Sequence, residues 1–231
     1  LYSLGLLSIQ QNDYVTAEKY LTEYLLAASK KEKENRDSSQ VLFLLSQIAE
    51  EQHDYDKALG WLAMIEKDEE DEVSLSVEIK TAQLYAKKGS IQQARRIITE
   101  LVSENPYEKE RLLLTEAQIL RDVKKQADAL DVLKNALAEF PRSTNILYDY
   151  ALTAENLGKY SEMEIALRKI IEIDPQYQQA YNALGYSLAD RNIRLEEAHA
   201  LIEKAMMLAP NDPFITDSLG WVLFRQGKID E

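Results

Sequence analysis

The chain has 231 residues, with 40 acidic against 27 basic side chains and a formal net charge of −13. This charge argues against nucleic acid and anionic lipid as partners, because both are bound mainly through Lys and Arg, and it favours basic partners. The sequence contains no cysteine, which excludes disulfides, thiolate nucleophiles and Cys-ligated metals. No run approaches eighteen consecutive apolar residues, so no membrane span is predicted.

The composition indicates an all-α protein. Ala, Leu, Glu, Gln and Lys dominate, and all five are good helix formers. The chain has only 7 glycines and 5 prolines, so few positions would interrupt a helix. We therefore expect nearly every ordered segment to be helical.

A repeat of about 35 residues runs along the chain. Its clearest mark is one small residue per repeat, at Gly5, Ser46, Ala82, Ala117, Ala151, Gly185 and Gly220. A second mark follows twelve to thirteen residues later, at Ala17, Ala58, Ala94, Ala129, Met163 and Ala198. Two small residues at this spacing predict a helix A and a helix B that approach each other closely.

Turns and prolines punctuate the same repeat. Gly89 and Gly158 stand where helix A should end, since glycine adopts the left-handed conformation that closes a helix. Four of the five prolines, Pro106, Pro141, Pro175 and Pro210, share one phase, where we expect helix B to have ended. The predicted repeats cover residues 1–30, 38–67, 74–104, 109–140, 143–174, 177–209 and, as a partial repeat, 212–231.

These marks resemble the tetratricopeptide repeat family over essentially the whole chain. The motif is a large residue, then Leu with Gly or Ala, an aliphatic residue, two alanines and a proline. In the sixth repeat it reads Tyr181, Leu184, Gly185, Leu188, Ala198, Ala205 and Pro210. The resemblance implies one right-handed α–α solenoid over residues 1–231, built from six helix pairs and one terminal helix. Because the chain starts and stops inside repeats, we expect it to be a fragment.

Three segments depart from the repeat. The charged run 30–37 lengthens the connection between the first two repeats, and the run 190–194 adds one residue between the helices of the sixth. The acidic run 66–72 replaces a proline. It lacks the alternating ligands and the turn glycine of a calcium loop, so we interpret it as a solvated loop.

The sequence offers little that could perform catalysis. Its two histidines, His53 in a predicted turn and His199 on a predicted helix B, lie four repeats apart and are interpreted as surface or packing residues. No glycine-rich phosphate loop or serine nucleophile elbow occurs. We therefore expect no enzymatic activity, no metal and no cofactor.

The family resemblance implies that helix A residues line a protein-binding groove. One set of positions follows the large residue that opens each repeat, and a second set lies four residues beyond the first. The first set is Tyr2, Phe43, Ile79, Leu114, Tyr148, Asn182 and Asp217, and the second is Leu6, Gln47, Gln83, Gln118, Leu152, Tyr186 and Trp221. Amides and rings suit an extended peptide, because amides hydrogen-bond its backbone and rings bury its side chains.

An alternative interpretation is that many of these rings only pack against neighbouring repeats. Among the aromatic residues, Tyr148, Tyr186 and Trp221 are the first candidates for contacts with a partner. One known mode in the family grips a carboxyl terminus with lysines. The corresponding positions here hold no lysine, so that mode is not expected.

The last repeats resemble proteobacterial tetratricopeptide lipoproteins. The resemblance rests on residues 182–190, 195–198, 208–213 and 217–222. It implies a periplasmic, outer-membrane-anchored adaptor that presents substrates to a carboxyl-terminal processing protease. Two alternatives stay open: an assembly scaffold of an envelope secretion or polysaccharide-export complex, and a regulatory segment of a larger enzyme. A cytoplasmic location also stays open.

The last predicted helix, 213–226, has no helix B after it in this sequence. Its residues Leu219, Val222, Leu223 and Phe224 would then form an uncovered apolar face. Because uncovered apolar patches tend to acquire partners, we expect self-association through this end.

Overall fold

The computed structural model describes residues 1–28, 35–66, 72–101 and 104–228, and these ranges are helical, with no strand among them. They contain six helix pairs and one terminal helix, as the repeats predict. The helices are α1 (Tyr2–Gln10), α2 (Tyr14–Ala28), α3 (Asn35–Glu51), α4 (Tyr55–Ala63), α5 (Glu72–Lys87), α6 (Ile91–Glu100), α7 (Pro106–Asp122), α8 (Gln126–Glu139), α9 (Thr144–Asn156), α10 (Tyr160–Ile173), α11 (Gln178–Asp190), α12 (Leu195–Leu208) and α13 (Pro213–Arg225). Among the described helices, none combines the length and the apolar character needed to cross a bilayer.

Two compact units make up the chain, Leu1–Asn105 and Pro106–Glu231. Unit 1 holds the pairs α1/α2, α3/α4 and α5/α6. Unit 2 holds α7/α8, α9/α10 and α11/α12, followed by α13. Within each unit, the two helices of a pair pack together, and the second also contacts the first helix of the next pair. This is the stacking of tetratricopeptide repeats.

The small residues of the repeat lie where helices A and B meet. A Cβ added to Gly185 would stand 2.7 Å from Ile202 Cγ1 and 2.9 Å from the carbonyl oxygen of Ala198, both in α12. At Gly5 the added atom would meet Leu21 of α2 at 2.7 Å. The matching residues Ser46, Ala82, Ala117 and Ala151 are fully buried. The predicted role of this register is confirmed.

Every A-to-B turn uses the same backbone device. Each turn has a residue with positive φ at the same position: Asn12, His53, Gly89, Lys124, Gly158, Asn192 and Gly227. The longer α11–α12 turn has a second one, Arg194, with φ of 49°. The residue after the shared position donates its N–H to a carbonyl five positions back, at 2.8–3.0 Å in all seven turns. This is the Schellman closure of a helix. The turn predicted at His53 is therefore confirmed, and its φ of 60° corresponds to the positive φ at the same position of the other six turns.

Ion pairs and side-chain hydrogen bonds connect the helices within each unit. In unit 1, Glu50 of α3 is buried and binds Lys80 and Lys87 of α5. Burial alone would raise the pKa of Glu50, but the hydrogen bonds and charges of the two lysines outweigh it and lower that pKa. In unit 2, Tyr150 of α9 donates to Glu162 of α10.

Three expectations on the connections have different outcomes. The extra residue of the sixth repeat is confirmed, because four residues separate α11 from α12 and three separate the helices of every other pair. The prediction that Pro106, like Pro141, Pro175 and Pro210, stands after the end of a helix B is confirmed, because α6 ends at Glu100. Pro106 is the first residue of α7, a position that tolerates proline because its N–H has no partner in the helix. Most of runs 30–37 and 66–72 lies outside the described residues, at 29–34 and 67–71.

Candidate protein-binding surface

The A helices of unit 2 carry the larger share of the predicted groove residues. Helix α7 contacts α9, and α11 contacts α13, so these first helices of successive pairs lie side by side. Their predicted residues are Leu114 and Gln118 on α7, Tyr148 and Leu152 on α9, Asn182 and Tyr186 on α11, and Asp217 and Trp221 on α13. All eight are exposed or half-buried, and none is fully enclosed.

Tyr148 forms a ring contact that connects two repeats. Its centroid lies 5.7 Å from that of Tyr177, the residue that precedes α11, at an interplanar angle of 48°. Both rings are half-buried against the core of unit 2. Burial, followed by the charges of nearby carboxylates, raises the pKa of both hydroxyls above its ordinary value. Sequence reasoning missed Tyr177, because it lies outside the helix A register.

Gln118 belongs to a polar network within the unit. Its amide accepts a hydrogen bond from Arg121 and donates one to Asp122. Arg121 also reaches α9, where it pairs with Asp149 at 2.8 Å and donates to Thr153 at 3.3 Å. The network fixes α7 against α9, so the amide of Gln118 must exchange an internal bond before it can contact a peptide.

Asn182 and Trp221 each bury one polar side-chain atom that makes no hydrogen bond within the described part of the chain. Asn182 Oδ1 and Trp221 Nε1 have no hydrogen-bond partner among the residues that the structure describes. A shielded acceptor or donor without a partner costs about 1–3 kcal/mol. Both are predicted groove residues on neighbouring helices, but these two atoms are enclosed by the protein itself and are not open to a partner in this arrangement.

Exposed rings extend this surface. Tyr186, four residues after Asn182, is 41% exposed on α11. On α13, Trp221 stacks on Phe224 with centroids 5.5 Å apart, and the guanidinium of Arg225 lies 5.5 Å from the Trp221 ring. Trp221 also packs against the core, so it has a structural role besides any contact with a partner.

Unit 1 carries the other predicted residues. Tyr2 contacts Tyr24 of α2, with ring centroids 5.6 Å apart, and is half-buried, as are Phe43 and Gln83. Leu6 and Gln47 are exposed.

Ile79 corrects the prediction for unit 1. Its side chain is only 5% exposed, so it cannot contact a partner. Ile79 occupies the same position in its repeat as Tyr148. Its side chain has no hydroxyl group that must reach solvent, so it packs into unit 1.

The predicted apolar face of α13 also needs correction. Val222 is fully buried, because α13 packs against both α11 and α12 and directs this residue into the core of unit 2. Leu219 and Leu223 are half-buried, and only Phe224, at 56%, is largely exposed. A Cβ added to Gly220 would meet nothing within 4 Å, so the surface left open is the one that helix B covers in the other pairs.

A second concave feature opens between helices α8 and α10. This cleft of about 550 Å³ has Leu137, Leu147 and Ala166 in its walls, and the 69%-exposed Ile165 stands beside them. Lys134, Arg168 and Lys169 lie at its edge. Sequence reasoning did not single it out, because helix B positions were interpreted as packing residues.

The two histidines occupy ordinary positions. His53 contacts the Tyr55 hydroxyl at 3.2 Å, and His199 lies 3.7 Å from Glu203 on α12. Among the described residues, no group of three or more His, Asp or Glu side chains is arranged to hold a metal.

Comparisons with known proteins identify repeats in both units. Tetratricopeptide repeat models match residues 2–72 and 144–177. A TPR repeat-containing protein of Pseudomonas aeruginosa is 36% identical over 187 residues, which are 81% of this chain and 31% of that protein. The human aspartyl/asparaginyl beta-hydroxylase is 24% identical over 171 residues, 68% of this chain and 22% of the enzyme. The chain thus spans less than a third of either relative.

Solved structures share the fold at low identity. The C-terminal part of a TPR repeat-containing protein from Cytophaga hutchinsonii superposes with a TM-score of 0.61 at 13% identity, covering 100% of this chain and 92% of its own. YrrB, described as a TPR protein with an unusual peptide-binding site, gives 0.51 at 15% identity and covers 84% of this chain and 96% of its own. At these identities the similarity concerns the fold alone.

Proposed function

We propose that unit 2 binds an extended polypeptide along α9, α11 and α13. The chain belongs to the tetratricopeptide repeat family, which is typically non-enzymatic and binds protein or peptide partners. The observation that carries the proposal is the row of exposed and half-buried rings, with Tyr148 on α9, Tyr186 on α11 and Trp221 on α13. A peptide that lies along these helices could bury its side chains against Tyr148 and Tyr186, because aromatic rings supply large apolar contact area at interfaces.

Site-specific photo-crosslinking tests this surface. A benzophenone amino acid at position 186, introduced into the full-length protein in its own cells, should crosslink to a discrete polypeptide. Position 107 is the control, because Tyr107 is an equally aromatic and more exposed residue (86%) outside the predicted set. Equal crosslinking from both positions, or none from 186, would contradict the proposal.

Alanine variants give the energetic test on the captured partner. Truncation of an aromatic anchor at an interface costs about 2 kcal/mol or more, which is roughly thirtyfold in Kd. Tyr186→Ala is the leading variant, because its ring is exposed and its loss should not disturb the core. Tyr148→Ala and Trp221→Ala should also weaken binding, and Tyr107→Ala should leave it unchanged. If all three groove variants bind with unaltered affinity, this surface is not the interface.

The biological role we propose is an adaptor in the bacterial periplasm, anchored to the outer membrane in the full-length protein, that delivers substrates to a carboxyl-terminal processing protease. The resemblance of residues 182–190 and 217–222 to proteobacterial lipoproteins supports it, as does the relative from Pseudomonas aeruginosa, a proteobacterium. In a purified system, the full-length protein should accelerate substrate degradation by such a protease, and Tyr186→Ala should reduce the acceleration. Protection from external protease after permeabilisation of the outer membrane would contradict the location and indicate the cytoplasm.

The cleft between α8 and α10 supports a second candidate, an assembly scaffold of an envelope secretion or polysaccharide-export complex. Such a scaffold would bind through helix B residues, and Ile165 is an exposed apolar contact of this kind. Crosslinks from position 165 to export components, with none from 186, would favour it.

A regulatory segment of a larger enzyme is the third candidate, supported by the match to part of a human enzyme.

A further inference from the structure

Tyr148 and Tyr177, here named the tyrosine pair, form a half-buried aromatic corner at the junction of two repeats. Their rings are tilted by 48° at 5.7 Å, so parts of both π faces border one space. The negative face of an aromatic ring attracts cations, and two rings at an angle can contact one cation together. The geometry therefore suits a positively charged side chain.

The surroundings of the tyrosine pair are acidic. Helix α9 contains Asp149 and Glu155 and no Lys or Arg, and α11 contains Asp190 and again no basic residue. Asp174 lies in the connection between the two pairs. Asp149 is partly neutralised by Arg121, whereas Glu155 has no basic partner in the described part of the chain. Carboxylates without a full complement of counter-charges favour a cation at this place.

The nearby carboxylates also affect the pKa values of the hydroxyls of Tyr148 and Tyr177. Burial is the main cause that raises the pKa of Tyr148, followed by the interaction with Tyr177 and then by the charges of Glu155 and Asp149. For Tyr177 the causes are burial and then Asp149 and Asp174. A negative potential that opposes formation of a tyrosinate stabilises a cation placed over the rings.

Other rings of unit 2 already hold a cation of their own. Arg191 lies 4.4 Å from the Tyr160 ring centroid, and Arg225 lies 5.5 Å from that of Trp221. Among the described residues, no Lys or Arg lies over Tyr148 or Tyr177. The tyrosine pair therefore has no cation from the described part of the chain, and a partner can supply one.

We propose that the tyrosine pair, together with Glu155, Asp149 and Asp174, binds a lysine or arginine side chain of the partner polypeptide. The proposal rests on the proposed function and narrows it, because the partner segment that lies across α9 and α11 must then be basic. The net charge of −13 acts in the same direction by attracting such a segment before contact.

The test uses two fluorescein-labelled peptides of the same Gly-Ser backbone, one with four arginines and one with citrulline in their places. Fluorescence polarisation on the full-length protein should show binding of the arginine peptide and little of the citrulline peptide. Replacement of both rings, Tyr148→Leu with Tyr177→Leu, should weaken arginine-peptide binding by about tenfold, the effect expected of two cation–π contacts. Tyr148→Phe with Tyr177→Phe should retain most of the binding, because the π faces remain.

Matched charge variants separate this site from general attraction by an acidic protein. Glu155→Gln should weaken binding about threefold, whereas Glu172→Gln, which removes the same charge at an exposed position of α10, should change it little. Equal effects of the two variants, or equal binding by the Leu and Phe double variants, would overturn the proposal. Crosslinking from position 186 does not depend on arginine. If position 186 crosslinks to a polypeptide but the arginine peptide binds no better than the citrulline peptide, only this inference is refuted. If position 186 gives no crosslink, the proposed function is refuted.

Discussion

Gly185 and Gly220 occupy the same register and should respond oppositely to one added methyl group. Gly185→Ala places an atom 2.9 Å from a backbone oxygen and 2.7 Å from Ile202, and such overpacking typically costs about 1–3 kcal/mol. Gly220→Ala meets nothing and should stabilise α13 by about 0.5–1 kcal/mol, because alanine is the better helix former. Urea denaturation of both variants measures the difference. A loss of stability at position 220 equal to that at 185 would show that the α13 face is covered.

Glu164 should make part of the stability depend on acid pH. Arg194 and Arg168, which hydrogen-bond its carboxylate, lower its pKa from 4.5 to about 2, against the opposing effect of burial. The folded pKa is depressed, so the contribution is fully present above about pH 4.5 and is lost as the pH falls towards 2. Glu164→Gln should lower the melting temperature at pH 7 and have a smaller effect at pH 2.5.

The control for this prediction is Glu172→Gln. Glu172 pairs with Lys169 but is 68% exposed, and exposed pairs contribute about 0–1 kcal/mol. The melting temperature should therefore change little in this variant across the whole pH range. A parallel response of the two variants would mean that the general acidity of the chain, and not the α10–α12 contact, determines acid sensitivity.

Glycine at the positive-φ position of an A-to-B turn should increase the stability of the protein. Lys124 adopts φ of 61°, a conformation that costs an ordinary residue about 1–2 kcal/mol and costs glycine little. Lys124→Gly should therefore raise the free energy of unfolding of unit 2, offset in part by the greater freedom of glycine in the unfolded chain. Gly158→Ala, at φ of 70°, should lower it. Thermal melting of both variants tests the sign.

The N-cap residue that precedes α13 contributes to the stability of this helix. Asp212 caps it by accepting from the N–H groups of Phe214 and Ile215 at 2.8 and 3.3 Å. Asp212→Ala should cost about 1 kcal/mol and Asp212→Asn much less, because asparagine also caps. Hydrogen exchange of the α13 amides should accelerate in the first variant only. Unchanged exchange in Asp212→Ala would mean that packing on α11 and α12 alone fixes this helix.

Elements were more predictable from sequence than surfaces. The seven-fold recurrence of small residues fixed the helix pairs, since a register set by close packing cannot shift without a clash, as at Gly185. The exposure of individual A-helix residues could not be derived, because it depends on neighbouring side chains. Ile79 and Tyr148 have the same register, yet one is buried and the other bordered by Tyr177. Nor did the register reveal that Val222 faces inward.

At the scale of the whole molecule, self-association remains a prediction. Of the four residues predicted for this face of α13, Phe224 is exposed, Leu219 and Leu223 are half-buried and Val222 is buried, so the patch is smaller than the sequence suggested. Static light scattering of the 231-residue chain should show association that increases with concentration, and Phe224→Asp should reduce it. A monomer at the highest concentrations, in the wild type as well as the variant, would contradict the prediction.

The closure of each helix pair also has a consequence for sequence divergence. Because the seven turns are secured by main-chain bonds, and Asn, His, Gly and Lys all serve there, selection has little reason to preserve one amino acid at these corners. Only the residues at the few tight contacts between the helices of each pair must stay small. The same fold is therefore compatible with very different sequences, and the protein from Cytophaga hutchinsonii has it at 13% identity to this chain.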